Sequence, residues 1–460
     1  MKDKQRNQFL EMCYTCLVVG GMVMKKITLL IVLMFLILLG GCKDDSAYTP
    51  LKADEEVTII VATDLHLLAS ELHDGGESSK NPYNLKNARV TQYGTEIIQA
   101  FVDLVIEKKP TAVLLTGDLT YNGEKASHEE LAKMLEKAKE KGIHIFVSPG
   151  NHDIRIHRAS SFIGDEVSKV ETVEAAEFQQ IYQDFGWNQS FMQDEKSLSY
   201  LVELREGLWL MVLDANQYMY NTDSEIYVDG NFQIETIEWI KECFELAKEK
   251  GAKIITSTHQ NLLKNEVHRT NRHRIINSEA LEGLMVEYGV KINLSGHSHV
   301  QTVSSSKYQG QTLYEVVTGA LSVAQNNYGF ISITPDDVFT YEALSLNVNS
   351  WAEKNGILDE NLLNYSEYSV KFCQDVSYKD FISRYRKYKM PKKEAELLAR
   401  FVSELRPHYF SGTLDEIRET AIKSKAYKIA LKHKKKSNVN YIIRILAPQK
   451  LNQRKLRIEL

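Results

Sequence analysis

Side chains that can bind metal ions recur where short apolar segments of this chain end. The segment Val57–Ala62 is followed by an aspartate and a histidine, and residues 143–147 are followed by the stretch GNHD. Imidazole and carboxylate together suit Mn, Fe, Zn or Ni rather than Ca or Mg. The candidate residues of this pattern are Asp64, His66, Asp118, Asn151, His152, His259, His297 and His299.

Each candidate by itself has an ordinary structural explanation. Asp64 and Asp118 could cap helices, and a single histidine is more often structural than ligating. Collected at one place, however, these groups would repel one another or stay unsatisfied unless cations held them. The recurrence of the pattern therefore predicts a metal centre, provided that the fold brings the segments together.

The apolar segments predict strands of a largely parallel sheet. They lie at residues 57–62, 112–115, 143–147, 208–213, 253–256 and 291–294. Helical patterns separate them at residues 88–107, 129–141, 234–250 and 278–288. Alternation of this kind indicates βαβ units, and in such α/β sheets functional groups gather at the carboxyl ends of the strands. Alternating patterns up to about residue 343 predict antiparallel strands that complete the fold.

The number of ligands indicates two metal ions. Two ions about 3.5–4 Å apart can hold the attacking and leaving oxygens of an in-line displacement at phosphorus, and one carboxylate must bridge them.

The motifs DxH, GD, GNHD, a lone histidine and GHxH stand in the order and spacing of the calcineurin-like metallophosphoesterases, and the chain resembles that family over residues 57–343. Within it, the chain is similar to class III cyclic-nucleotide phosphodiesterases. The segment KYKMPKKEAELLARF, residues 387–401, resembles the C-terminal domain of secreted Gram-positive members. The resemblance implies a four-layer α/β/β/α sandwich followed by a C-terminal α-helical domain.

The resemblance also implies roles for the motif residues. Asp118 would bridge two ions, Mn or Fe first and Zn as an alternative, and a hydroxide between them would attack phosphorus. His152 would stay off the metals and protonate the leaving alkoxide, with Asp153 as a candidate to orient it. The first ion would be bound by Asp64, His66 and His299, and the second by Asn151, His259 and His297.

One motif allows a second interpretation. Residues 117–121 also spell GDxxY, which occurs in purple acid phosphatases, where the tyrosine binds ferric iron. Those enzymes have glycine where this chain has His66. With His66 present, we expect Tyr121 to serve in packing or behind the ligands, and a purple protein would contradict this.

The first fifty residues predict export. Two lysines precede the apolar run 27–39 and the sequence Leu39-Gly40-Gly41-Cys42, which resembles a bacterial lipobox. We expect residues 1–23 to be an over-extended start, residues 24–41 a lipoprotein signal peptide, and residues 42–56 a tether from a lipidated Cys42. An uncleaved anchor is the alternative, and both place the protein outside the cytoplasmic membrane. The predicted domains are a phosphoesterase domain at residues 57–345 and a helical domain at residues 346–460.

Composition narrows the class of function. The chain has 460 residues, a formal charge of −5 and 43% hydrophobic residues, which is an ordinary globular composition without the basic footprint of a nucleic-acid-binding protein. The leading hypothesis is a phosphodiesterase that acts on a 3′,5′-cyclic nucleotide. The alternatives are a broad phosphomonoesterase or nuclease-like diesterase with the same metals, and a non-catalytic binding protein on this fold.

Overall fold

The computed structural model describes residues 48–83, 88–264, 273–308 and 310–460. The predicted start extension, signal peptide and lipidated Cys42 lie outside the described residues, as do His268, Arg269 and Arg272 of a basic loop after His259. The chain divides into two units between Thr49 and Pro50, and the second unit, Pro50–Leu460, contains the fold described below. Within the described ranges, no helix is long and apolar enough to cross a membrane.

Strands and helices alternate through the first part of the second unit, and helices dominate afterwards. The strands are β1 (Val57–Ala62), β2 (Ala112–Thr116), β3 (His144–Ser148), β4 (Ser160–Ile163), β5 (Glu166–Lys169), β6 (Met192–Gln193), β7 (Tyr200–Arg205), β8 (Leu208–Leu213), β9 (Lys253–Thr258), β10 (Ile292–Ser295), β11 (Thr302–Tyr308), β12 (Gln311–Val317), β13 (Asn327–Ile333), β14 (Val338–Ser345) and β15 (Lys455–Glu459). The helices are α1 (Lys80–Tyr83), α2 (Gly94–Lys108), α3 (Lys125–Lys139), α4 (Ala175–Ile181), α5 (Ile234–Lys250), α6 (Ser278–Glu287), α7 (Val348–Lys354), α8 (Glu360–Leu363), α9 (Tyr365–Arg386), α10 (Lys392–Ser411), α11 (Leu414–Lys423), α12 (Lys425–Lys432) and α13 (Ser437–Ile445).

Two mixed sheets form the centre of the fold. One has the order β15-β14-β13-β1-β2-β3, and the other has the order β11-β12-β10-β9-β8-β7-β6. β1, β2 and β3 run parallel, as do β8, β9, β10 and β12. The sheets contact each other through β3 and β8, while α3 lies against β3, α5 against β9 and α6 against β12. This arrangement is the expected α/β sandwich, and it aligns the carboxyl ends of five ligand-bearing strands.

Helix α5 shows how the sequence specifies an outer layer. Its buried residues, Trp239, Ile240, Cys243, Phe244 and Ala247, recur at helical spacing and face the apolar side of the second sheet. The helix ends at Gly251, whose φ of 68° is left-handed and favours glycine. Cys243 is buried as a free thiol.

The C-terminal part is helical through α7–α13 and packs on the sheet region. Pro391 precedes α10, and Gly412, with a φ of 71°, ends it. The predicted helical domain, residues 346–460, ends differently from expectation. Residues 455–459 form β15, which pairs antiparallel with β14 as the edge of the first sheet, so the chain returns to the phosphoesterase region. At the other end of the unit, Leu51 of the predicted tether forms a parallel bridge with Arg205, the last residue of β7.

Candidate metal centre

The first group of converging ligands lies where β1 and β10 end. Asp64, His66, Asp118 and His299 are all buried, and each places a ligand atom within 4.8 Å of the others. The Nε2 atom of His66 lies 3.1 Å from Nε2 of His299 and 3.6 Å from Oδ2 of Asp118. Oδ1 of Asp64 lies 3.3 Å from Nε2 of His299. We call Asp64, His66 and His299 the first cluster.

The second group lies beside it and shares one carboxylate. The Nε2 atom of His259 is 3.3 Å from Oδ1 of Asp118, 3.2 Å from Nδ1 of His297 and 3.3 Å from Oδ1 of Asn151. We call Asn151, His259 and His297 the second cluster. Asp118 directs one oxygen to each cluster, which is the arrangement required of a carboxylate that bridges two ions.

Strained backbone marks the same residues. Asp64, His66, Asp118, His297 and His299 have φ angles between 48° and 63°. This left-handed region costs non-glycine residues about 1–3 kcal/mol each and persists where surrounding structure enforces it, commonly at functional sites. Five of the candidate ligands therefore share this strained conformation.

Two glycines of the motifs allow the loops to approach one another closely. A Cβ atom at Gly117 would lie 2.6 Å from Nδ1 of His259, and one at Gly150 would collide with the backbone nitrogen of Asp118. Glycine in GD and GN is therefore required by contact between loops, since any side chain would separate the ligands.

The donor set fits two cations. Oδ1 of Asp64 is buried and has no hydrogen-bond partner, and an unpaired buried carboxylate oxygen is costly unless a cation lies beside it. Burial opposes ionisation of Asp118, yet His259 and His152 hold the pKa of this carboxyl well below its usual range. Burial likewise opposes a charge on His259, but the Asp118 carboxylate raises its pKa to about 9. The site thus favours positive charge beside its carboxylates.

His152 lies beside the clusters and is held by the backbone. Its ring centroid is 4.9 Å from that of His66, and its Nδ1 lies 2.8 Å from the carbonyl of Tyr121 and 3.1 Å from Oδ1 of Asn122. The backbone N–H of His152 donates to Oδ1 of Asp118 at 2.8 Å. With Nδ1 fixed in this way, Nε2 is the nitrogen left for a substrate oxygen.

Asp153 has a different role from the one expected. Its carboxylate accepts hydrogen bonds from the backbone N–H groups of Gly150, Leu119 and Thr120 at 2.7, 3.1 and 2.9 Å, and from Oγ1 of Thr120 at 3.0 Å. The hypothesis that Asp153 orients His152 is therefore wrong, because its oxygens bind the loop after β2. It fixes that loop to the GNHD loop and so sets the place of Asp118.

Tyr121 packs in an apolar cluster with Leu68, Leu72 and Phe162. Its ring meets that of Phe162 edge-on, with centroids 6.1 Å apart, and the Arg89 guanidinium lies 5.3 Å from its centre. Burial raises the pKa of the phenol. These contacts favour the packing role over the iron-ligand alternative.

Sequence reasoning missed two charged residues of the site. Glu315 is fully buried and accepts the backbone N–H groups of Leu262 and Leu263, just after His259, at 2.6 and 2.9 Å. Oγ of Ser295, just before GHSH, also donates to it at 2.8 Å. The sequence did contain a signal for this buried charge, because Glu315 interrupts the otherwise apolar strand segment LYEVV, residues 313–317. Arg89, whose Nη1 lies 2.5 Å from Nδ1 of His66, gave no such signal.

Comparison with protein families agrees with this geometry. The model for calcineurin-like phosphoesterases matches residues 57–301, more than half of the chain. The chain belongs to the calcineurin-like phosphoesterase family. A second model, for the C-terminal domain of cyclic nucleotide phosphodiesterase, matches residues 347–452. The predicted family and fold class are confirmed, and the family indicates a metal-dependent phosphoester hydrolase.

Two solved structures are similar to this chain at low sequence identity. A dimetal phosphatase from Danio rerio is 11% identical, over 63% of this chain and 96% of that chain, with a TM-score of 0.45. GAP50, the anchor in the inner membrane complex of Plasmodium, is 10% identical over 63% and 84% of the two chains, with a TM-score of 0.36. No curated protein matches the sequence.

Proposed function

We propose that this phosphoesterase hydrolyses a phosphodiester, and that its substrate is a 3′,5′-cyclic nucleotide. The observation that carries the proposal is the placement of Asp118, which directs one buried oxygen to each of two ligand clusters. The match of residues 347–452 to the C-terminal domain of cyclic nucleotide phosphodiesterase supports a cyclic substrate.

The ligands would hold two ions, Mn or Fe first and Zn as the alternative. Asp64, His66 and His299 would bind one ion, and the second cluster would bind the other. The ions would supply Lewis acidity and neutralise charge on the phosphoryl oxygens. Asp118 would keep their separation fixed, because both of its oxygens are engaged.

His152 would hold the proton that the leaving oxygen needs. The Tyr121 carbonyl fixes its Nδ1, and its ring lies beside His66 without being among the ligands. A ribose alkoxide is a poor leaving group, so its departure depends on proton transfer, whereas an aryl oxide leaves readily without it.

The first test is a substrate panel with the Mn²⁺-loaded protein. We expect 3′,5′-cyclic AMP and a bis-aryl phosphate to be hydrolysed faster than a mono-aryl phosphate, with 2′,3′-cyclic AMP as a further diester. A preference for the monoester would overturn the diesterase proposal and favour the broad phosphomonoesterase.

The second test is the variant His152→Ala. It should keep its bound metal but lose about 10²–10⁴-fold in turnover of the cyclic nucleotide, and much less with the bis-aryl phosphate. His157→Ala, a half-exposed histidine on the same loop, is the matched control and should keep both activities. Loss of metal from His152→Ala would make this residue a ligand instead.

We also propose that the protein is exported and held on the outer face of the bacterial membrane by a lipid on Cys42. The lipobox-like sequence Leu39-Gly40-Gly41-Cys42 supports this. A radiolabelled fatty acid fed to the cells should be incorporated into the wild-type protein and not into the Cys42→Ser variant. Wild-type protein that takes up no label and keeps residues 24–41 would favour the uncleaved anchor.

A further inference from the structure

His259 and His66 are buried beside Asp118, and the groups that contact their Nδ1 atoms differ in polarity. Nδ1 of His259 donates to the carbonyl of Thr116 at 2.7 Å. This is the usual support for a metal-binding histidine, since it directs the lone pair of Nε2 at the ion and increases its donor strength. Behind His66, a guanidinium takes the place of the carbonyl, with Nη1 of Arg89 2.5 Å from Nδ1.

Arg89 is a cation that the fold holds in place. Its side chain is 5% exposed, and its Nε has no hydrogen-bond partner. The backbone of Arg89 forms an isolated antiparallel β-bridge with Val323, and the N–H of Val90 donates to the carbonyl of Ser322 at 2.8 Å. The preceding residue, Ala88, is buried in the apolar core of the helical region. Withdrawal of the guanidinium from His66 would therefore require repacking on both sides.

The position of this charge affects one ion more than the other. Arg89 lies directly behind a ligand of the first cluster, whereas His259 of the second cluster has the Thr116 carbonyl in that position. An arginine has only donors and stays charged when buried. It repels a dication at close range, and it draws electron density from the imidazole that should donate to that dication. Both effects weaken binding in the first cluster.

We propose that Arg89 makes the first cluster the weaker metal site, so that the ion beside Asn151, His259 and His297 binds first and the ion beside Asp64, His66 and His299 binds last and exchanges. This rests on the two-metal centre of the proposed function. Its consequence is that activity follows the free concentration of the weaker ion, while the protein always carries the tighter one.

The test is a calorimetric titration of the metal-free full-length protein with Mn²⁺ alone, without substrate. Wild-type protein should show a tight and a weak binding step. His299→Ala should remove the weak step, and His297→Ala should remove the tight one. Arg89→Met and Arg89→Gln, which remove the charge, should tighten the weak step by about 10- to 100-fold and leave the tight step unchanged. Arg89→Lys, which keeps the charge, should retain the wild-type difference.

Two results would overturn the inference while leaving the proposed function intact. One is loss of the tight binding step in His299→Ala, which would make the first cluster the stronger site. This result does not depend on the folding of any Arg89 variant. The other is an unchanged weak step in a folded Arg89→Met or Arg89→Gln protein. Failure of the wild-type protein to bind any Mn²⁺ would overturn both the inference and the two-metal proposal.

Discussion

The two ligand clusters are supported by different parts of the molecule. Behind the first, Oγ of Ser322 donates to the carbonyl of Asp64 at 2.7 Å, and the N–H of Ala320 donates to that of His299 at 3.3 Å. Ala320 and Val323 of this same turn are buried in the apolar core of the helical region. The first cluster therefore depends on packing between two regions that are far apart in sequence.

The second cluster depends on buried polar groups within the sheet region. Glu315 binds the backbone after His259 and the hydroxyl before GHSH. The side chain of Asn261 donates to the carbonyl of Gly296 at 2.9 Å, and Asp153 holds the two loops around Asp118. Apolar packing fails gradually when atoms are removed, whereas a buried polar network fails sharply when one partner is lost. The two clusters should therefore respond differently to substitution.

The largest effect is expected from Glu315→Gln. The glutamine amide keeps the shape of the Glu315 side chain, but its NH₂ group replaces one of the two oxygens that accept hydrogen bonds. A donor such as the backbone N–H of Leu263 would then be buried without a partner. We expect the free energy of unfolding to fall by about 3 kcal/mol and the ion of the second cluster to be lost first. Thermal unfolding and metal analysis measure both.

Glu342→Gln is the matched control for that variant. Glu342 lies on β14 in a partly exposed ion pair with Lys455, and such pairs contribute about 0–1 kcal/mol. If Glu315→Gln were no more destabilised than Glu342→Gln, the polar network would not support the second cluster.

A smaller effect, confined to acid pH, is expected from His128. This buried side chain contacts the carbonyl of Asp153 at 2.9 Å through Nε2 and the hydroxyl of Tyr182 at 3.0 Å through Nδ1. Burial lowers its pKa from 6.5 to about 4. The unfolded chain therefore takes up a proton below pH 6.5 that the folded protein refuses, so stability falls as pH drops from 6.5 to 4. The linked loss between pH 7 and pH 5 is about 2 kcal/mol.

The variant His128→Gln isolates this contribution. Its unfolding free energy, measured by denaturant titration at pH 7 and pH 5, should change with pH by about 2 kcal/mol less than that of the wild-type protein. Parallel pH profiles of the two proteins would show that His128 does not cause the acid sensitivity.

The sequence predicted the strands, helices and ligands of the sheet region better than the buried polar residues that hold the ligands in place. Strand β1 and helix α5 occur at the predicted residues, since unbroken β-branched runs and helical spacing of apolar residues are local signals. Every predicted ligand lies at the end of a strand or on the loop that follows. The roles of Asp153, Glu315 and Arg89 were not readable, because each depends on partners more than twenty residues away. The pairing of β15 with β14 was hidden for the same reason, since about 110 residues separate them.

The smallest effect is expected from Gln301→Leu, and this variant distinguishes most directly between the supports of the two clusters. Gln301 is fully buried two residues after His299. It accepts the hydroxyl of Tyr341 at 2.9 Å and the N–H of Gly319 at 3.2 Å, and it donates to the carbonyl of Gln453 at 2.9 Å. Its backbone N–H donates to the carbonyl of Phe410 at the end of α10, so this residue joins the helical region to the first cluster.

Leucine at position 301 keeps the volume but removes all three side-chain hydrogen bonds. We expect Mn²⁺ affinity in the first cluster to fall by about tenfold, with the second cluster unchanged, because Glu315 holds the backbone after His259. Gln311, at the start of β12, donates a hydrogen bond to the Val286 carbonyl of α6. The control variant Gln311→Leu should change the Mn²⁺ affinity of neither cluster. Equal weakening of both ions by Gln301→Leu would mean that the two clusters share one support, and the contrast between support from the helical region and support within the sheet region would no longer hold.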